Sequence, residues 1–219
     1  GDGSYNGAKA LYEDTGINVI GIPGTIDNDI ACTDYTIGFD TAMNTAMELV
    51  DKLRDTAQSH DRISVVEVMG RGAGHIAVNT GVACGATDII TKEVPYDINA
   101  ISKTMLEKKA KGKQNFVVIV AESVGHCQEI AGMLQEKTGI DARYTILGHV
   151  QRGGCPTAKD RLVASEMGYR AVELLEQNRG NLIVAMQKEK VCEFPIDTAL
   201  DMKSGVDLNL YKIAQEISI

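Results

Sequence analysis

Apolar positions along this chain recur with two periods that alternate. From Phe39 to Ser59, the residues Phe39, Met43, Ala46, Val50 and Leu53 fall at helical spacing, which predicts a long amphipathic helix with Asp40 as its N-cap. Short continuous apolar runs read instead as buried strands: Asn18 to Ile20, Ile63 to Met69, Asp88 to Ile90, Phe116 to Ala121, a run beginning at Thr145 to Leu147, Leu182 to Ala185 and Val191 to Phe194. Between them the pattern predicts helices over Tyr5 to Thr15, from His75 to near Cys84 and Gly85, and over Ile98 to Lys109. Three more cover Glu129 to Thr138 (closed by Gly139), Lys159 to Gln177 and Leu208 to Ile217. Strand and helix in alternation predict a parallel sheet covered by helices.

The polar residues that interrupt this pattern cluster where strands end. Gly21-Ile22-Pro23-Gly24-Thr25-Ile26-Asp27-Asn28-Asp29 follows the first apolar run, and Pro23 with Gly24 stops the strand and turns the chain. Thr25, Asp27 and Asp29 therefore land at a strand's carboxyl end, where open α/β sheets bind ligands. Two carboxylates one residue apart can divide the work of a general base and of a metal or hydroxyl acceptor. Asp-Asn-Asp equally suits an Asx turn that bonds its own backbone.

Arg71 in a glycine-rich turn, Glu122, and then His149 and Arg152 stand at the ends of later strands. Singly, these read as a solvated charge, a capping carboxylate and a core histidine; their recurrence at equivalent sheet positions argues for one site. Arg62, Arg143 and Arg152 form a set suited to a sugar phosphate, because guanidinium forks bind phosphate oxygens bidentately. The opening Gly1-Asp2-Gly3-Ser4 reads, taken alone, as an ordinary capped turn, and equally suits a phosphate-type loop running into a helix capped by Ser4. A strand is expected before such a loop, so the chain reads as a fragment whose first part lies upstream.

Composition narrows the class. The 219 residues carry a formal charge of −8 with no basic tract, which argues against a nucleic-acid or membrane-surface partner. Cys32, Cys84, Cys127, Cys155 and Cys192 are odd in number and widely spaced, the usage of a reduced, cytoplasmic protein without a disulfide frame or zinc site.

Five motifs together resemble the bacterial ATP-dependent 6-phosphofructokinases: Gly-Asp-Gly-Ser (1–4), Pro-Gly-Thr-Ile-Asp-Asn-Asp (23–29), Met-Gly-Arg (69–71), Ala-Glu (121–122) and Leu-Gly-His-Val-Gln-Arg-Gly-Gly (147–154). The resemblance extends over essentially the whole chain. It implies an α/β fold of two lobes, each a mostly parallel sheet sandwiched by helices, with the first lobe incomplete. Residues 1–38 and 151–200 would form the remaining part of the ATP-binding lobe, and 39–150 with 201–219 the fructose 6-phosphate and effector lobe. The implied reaction moves the γ-phosphoryl of ATP, with magnesium, to the 1-hydroxyl of fructose 6-phosphate in a homotetramer.

Carried over by position, Asp27 resembles the catalytic base, flanked by Thr25 and Asp29, and Arg71 the arginine on the transferring phosphoryl. Asp2 resembles the magnesium-side carboxylate, and Gly3 and Ser4 the ATP contacts. Met69, Gly70, Glu122 and Arg152 resemble sugar contacts. His149 and, from a neighbouring subunit, Arg62 and Arg143 resemble 6-phosphate contacts. Arg54, Gly85, Lys111 and Lys113 match a site for an anionic effector such as ADP or phosphoenolpyruvate. Thr87 stands there in place of an acidic residue and Asn115 in place of a frequent histidine, which implies an altered response. Pyrophosphate-dependent relatives tend to carry an acidic residue at the position of Gly3 and a lysine at that of Gly24, so ATP is the expected donor. A catalytically inactive regulatory homologue is the other alternative, against which intact Asp27, Asp29, Arg71 and Arg152 speak.

Overall fold

A computed structural model describes residues 1–58, 61–203 and 205–217, with the side chains of Asp2, Ala57 and Gln58 outside that description. In chain order the elements are α1 (Asp2–Thr15), β1 (Ile20–Gly21), α2 (Phe39–Gln58), β2 (Ile63–Val68), α3 (His75–Ala83), β3 (Asp88–Ile90) and α4 (Ile98–Ala110). They continue with β4 (Phe116–Ala121), α5 (Cys127–Thr138), β5 (Ala142–Ile146), a 3₁₀ turn (Gly148–Arg152), α6 (Ala158–Glu176), β6 (Leu182–Gln187), β7 (Lys190–Pro195), α7 (Ile196–Asp201) and α8 (Leu208–Ile217). The chain divides into two units, 1–41 with 155–205 and 42–154 with 206–219.

The second unit holds a four-stranded, all-parallel sheet in the order β3-β4-β2-β5. β4 reads Phe-Val-Val-Ile-Val-Ala and is buried throughout, as a strand covered on both faces requires. Ile63, Val65, Val118 and Val120 pack on one face against Ile98, Ile101 and Met105 of α4 and Ile130 and Leu134 of α5. Strand periodicity turns Val66, Val68, Val117 and Ile119 to the other face, the one α3 covers. β5 is one of the two edge strands, and its Arg143, Tyr144 and Ile146 are exposed.

The first unit contains the sheet β1-β6-β7, with β6 parallel to β1 and antiparallel to β7. The antiparallel pair is closed by Lys188 and Glu189, both at positive φ, the two-residue turn whose twist suits a hairpin. Tyr5, Ile30, Cys32, Ile183, Ala185, Ile196 and Ala199 form its core.

Several expected boundaries are corrected. The first strand is only Ile20–Gly21, with Ile20 half-buried and Gly21 buried, because its pairing begins at Ile20 opposite Leu182. α1 begins at Asp2 after Gly1, with no side-chain cap, so Ser4 lies inside the first turn and residues 2–4 belong to the helix rather than to a loop. Asp40 lies within the first turn of α2, and the expected end at Ser59 falls outside the described residues. β5 starts at Ala142, earlier than the sequence pattern suggests. α7 is an addition: a six-residue helix is too short to show a period.

Candidate functional site

In the first unit, the loop after β1 carries Thr25, Asp27 and Asp29, all half-buried. Gly24 bridges to Ile37 in parallel, and Ile37 donates its amide to the Pro23 carbonyl at 2.9 Å, so the loop is backed by the segment that returns behind it. Thr25 Oγ1 donates to Asp27 Oδ2 at 3.3 Å and accepts the Asp27 amide at 3.2 Å. Asn28, at φ 51°, takes the Thr36 amide on Oδ1 at 2.8 Å and donates to the Asp34 carbonyl at 3.3 Å. The Thr36 hydroxyl, fully buried, reaches the Thr25 carbonyl at 2.6 Å.

The returning segment is anchored by Asp160, a carboxylate 3% exposed near the start of α6. It accepts from Tyr35 Oη at 2.5 Å, from the Gly38 amide at 2.7 Å, from the Thr41 amide at 2.9 Å and from Thr41 Oγ1. Burial by itself would raise the Asp160 carboxyl, but these donors outweigh it and hold it below the usual carboxylate range. Two of them are amides at the start of α2, so a carboxylate of α6 serves the helix end that Asp40 was expected to cap.

In the second unit, Met69, Gly70 and Arg71 follow β2 and Glu122 follows β4, neighbouring strands in the sheet. β2 connects through α3 toward β3 and β4 through α5 toward β5, in opposite directions over opposite faces. Their carboxyl ends therefore flank the topological switch point of this sheet. Three successive amides of the turn are held by side chains. Gln151 Oε1 accepts Met69 N at 2.8 Å, and Glu122 Oε1 accepts Gly70 N at 3.1 Å and Arg71 N. Gly70 has φ 149°, and a Cβ there would meet the Ala73 carbonyl oxygen at 2.5 Å, so only glycine fits. Arg71 is exposed in the left-handed region at φ 55°. Burial first, and then the charge of Glu122, push the Glu67 carboxyl upward. His149 and Arg152 are exposed on the 3₁₀ turn, whereas Gln151 between them is fully buried, with Nε2 unpartnered among the described residues.

Arg62 and Arg143 converge on Asp141 Oδ2 at 2.7 and 3.3 Å. They sit at the amino ends of their strands, and the length of β2 separates Arg62 from Met69, roughly 20 Å at the rise of a strand. They are not brought together with Arg71 and Glu122 in this chain. A further basic group contains Arg54, whose guanidinium donates to the Cys84 carbonyl, with Lys108 and Lys113. Burial, followed by the charges of Lys108 and Arg54, holds Lys113 below its ordinary value. Gly85, at φ 59°, has open space beside it. Thr87 is buried, and its Oγ1 accepts the Val117 amide at 3.3 Å, which still leaves the hydroxyl hydrogen to donate.

Gly3 and Ser4 are exposed on the first turn of α1, while the Asp2 side chain lies outside the described residues. Among the described residues no three His, Cys, Asp or Glu side chains gather as a metal cage. A magnesium ion carried on phosphates asks for only one or two protein carboxylates. Asp29, half-buried on the loop after β1, is of that kind. Also among the described residues, no helix is long and apolar enough to cross a membrane, and none of the five cysteines forms a disulfide.

Sequence reasoning did not single out Thr36, Asp160, Asp141 or Gln151. Thr157 with Asp160 reads as a helix start, and Thr157 Oγ1 does accept the Asp160 amide at 3.2 Å, but that pattern says nothing of the carboxylate's four donors.

Residues 1–175 match the family described as Phosphofructokinase. The chain is 51% identical over 218 residues to the ATP-dependent 6-phosphofructokinase of Clostridium botulinum strain Hall, covering 100% of this chain and 68% of that protein. Among solved structures, phosphofructokinase from Saccharomyces cerevisiae superposes with a TM-score of 0.85 at 30% identity, over 100% of this chain and 34% of that one. Pyrophosphate-dependent phosphofructokinase from Marinobacter aquaeolei gives 0.80 at 21% identity, over 100% of this chain and 64% of that one, a likeness of fold.

Proposed function

Because the chain belongs to the phosphofructokinase family, we propose that the protein it represents transfers the γ-phosphoryl of ATP to the 1-hydroxyl of fructose 6-phosphate, giving fructose 1,6-bisphosphate and ADP. The observation that carries the reading is Asp27, half-buried on the loop at the carboxyl end of β1, with the Thr25 hydroxyl 3.3 Å from its Oδ2. Asp27 takes the proton of the 1-hydroxyl as that oxygen attacks the γ-phosphorus. Phosphoryl transfer asks a protein mainly for position and for compensation of charge on the equatorial oxygens. Arg71, exposed with its backbone amide fixed by Glu122, supplies the positive charge. When bound, magnesium neutralises phosphate charge, and Asp2 with the Asp29 side of the loop are the carboxylates suited to it.

The first unit is thus read as the part that serves ATP and carries the base. The second is read as the part that serves the sugar phosphate through Met69, Gly70, Glu122, His149 and Arg152. The setting is cytoplasmic glycolysis, and Arg54, Gly85, Lys111 and Lys113 supply an anion site for an effector.

ATP is favoured over pyrophosphate by charge rather than by space. A Cβ at Gly3 or Gly24 would meet no atom within 4 Å, so the acidic residue and lysine that mark the pyrophosphate-using relatives are simply missing here. In the full-length protein, Asp27→Asn should lower kcat by roughly 10²–10⁴ with little change in KM. The parent should turn over with ATP and not with pyrophosphate. A kcat within a few-fold of the parent rejects Asp27 as base, and equal kcat/KM for the two donors rejects the donor assignment.

A further inference from the structure

We propose that Thr36 and Asp160 are the positioning residues of this site, a buried relay that holds Asp27 in register although neither touches a substrate. The proposal deepens the kinase reading above and rests on it for its kinetic consequence. The links can be followed atom by atom inside the first unit. Asp160 fixes residues 35–41 through the Tyr35 hydroxyl, the Gly38 and Thr41 amides and the Thr41 hydroxyl. Within that fixed segment, the Thr36 hydroxyl binds the Thr25 carbonyl at 2.6 Å and its amide binds Asn28 Oδ1 at 2.8 Å, gripping the loop on both sides of Asp27. Thr25 then hands the position on, because its Oγ1 contacts both the carboxylate and the amide of Asp27.

The chemistry of the anchor argues for more than packing. A carboxylate that is 3% exposed is costly to bury, and four donors converge on it, three of them from residues 38 and 41. An apolar residue could fill the same space, but it would leave the amides of Gly38 and Thr41 without the acceptor they now use. Ile22 and Gly24, at the start of this loop, are exposed. Positioning of this kind is worth much in transfer reactions, where a displacement of about 1 Å can cost on the order of 10²-fold in rate.

The test uses the full-length protein with Thr36→Val, which removes the hydroxyl at constant shape, Thr36→Ser, which keeps it, and Tyr35→Phe, which removes one donor from Asp160. Each is assayed with ATP and fructose 6-phosphate and by amide hydrogen exchange of the peptide spanning residues 22–34. Thr36→Val should lower kcat by about tenfold or more with KM for both substrates within about twofold, and should speed exchange at residues 25–29. Thr36→Ser should restore both, and Tyr35→Phe should move both in the same direction by a smaller factor. Equal exchange and equal kcat in Thr36→Val overturn the proposal, as does a serine variant as impaired as the valine one. If Thr36→Val does not fold, Tyr35→Phe decides: unchanged kcat and unchanged exchange overturn Asp160's part. Should the parent show no kinase activity, the functional reading fails by itself, and the exchange data alone still decide whether the relay holds the loop.

Discussion

Asp88 carries its charge at a cost. Burial raises its carboxyl from about 3.8 to about 6, against the opposing pull of the Ile89 amide and of Lys108. A folded-state pKa above the unfolded one means that the stabilising state is the protonated one. The contribution is fully present below about pH 4 and is lost as pH rises through about 6. Asp88→Asn, neutral throughout, should therefore be more stable than the parent at about pH 7.5, by about 1–2 kcal/mol. The advantage should shrink to nothing below about pH 4, and urea denaturation across that range measures it. A gain that does not vary with pH would show that burial of the charge is not its source. Single residues in this chain thus carry two kinds of burial: Asp160 is compensated by four donors, and Asp88 only in part.

Glycines within the helices show how an element's own preference yields to its neighbours. A Cβ at Gly81 in α3 would stand 2.5 Å from Ile89 Cγ1, with Ile89 Cδ1 also in its way, so the helix lies against β3 only because that side chain is missing. At Gly132 in α5 a Cβ would meet nothing within 4 Å. Helix propensity favours alanine at both positions by up to about 1 kcal/mol, whereas overpacking costs about 1–3 kcal/mol. Gly132→Ala should therefore raise Tm, and Gly81→Ala should lower it despite the better helix former. Thermal denaturation of the pair checks this. If both substitutions stabilise, α3 is free to shift away from β3, and the close approach is not a constraint.

For the whole molecule, the arginines decide the expectation. Arg62 and Arg143 share Asp141 at the amino ends of β2 and β5, while Met69, Arg71 and Glu122 stand at carboxyl ends. If Arg62 and Arg143 bind a 6-phosphate, as the resemblance implies, that phosphate belongs to a neighbour's substrate and not to the one that Met69, Arg71 and Glu122 of the same chain would hold. Full-length Arg62→Ser and Asp27→Asn, each impaired alone, should then regain activity when subunits are exchanged, because some sites in the hybrid receive an intact pair. The assay is turnover before and after verified exchange. Absence of any recovery would mean that each site is built from one chain.

The sequence alone determined whatever depends on local pattern. A six-residue apolar run gives β4 its bounds at Phe116 and Ala121, the helix α8 coincides with its expected ends, and chemistry-bearing residues collect where strands stop. It did so because hydrophobic period, glycine and proline act over a few residues and leave their mark there. Tertiary structure decided what depends on partners far along the chain. Asp160 reaches Gly38, 122 residues away, and Gln151 reaches Met69, 82 residues away; a carboxylate or amide in a sequence carries no sign of which distant backbone group it will meet. The same holds for β1, whose length is set by its pairing with Leu182 and Ile183 rather than by its own apolar run. That Thr87 is buried and accepts the Val117 amide likewise depends on a strand 30 residues away.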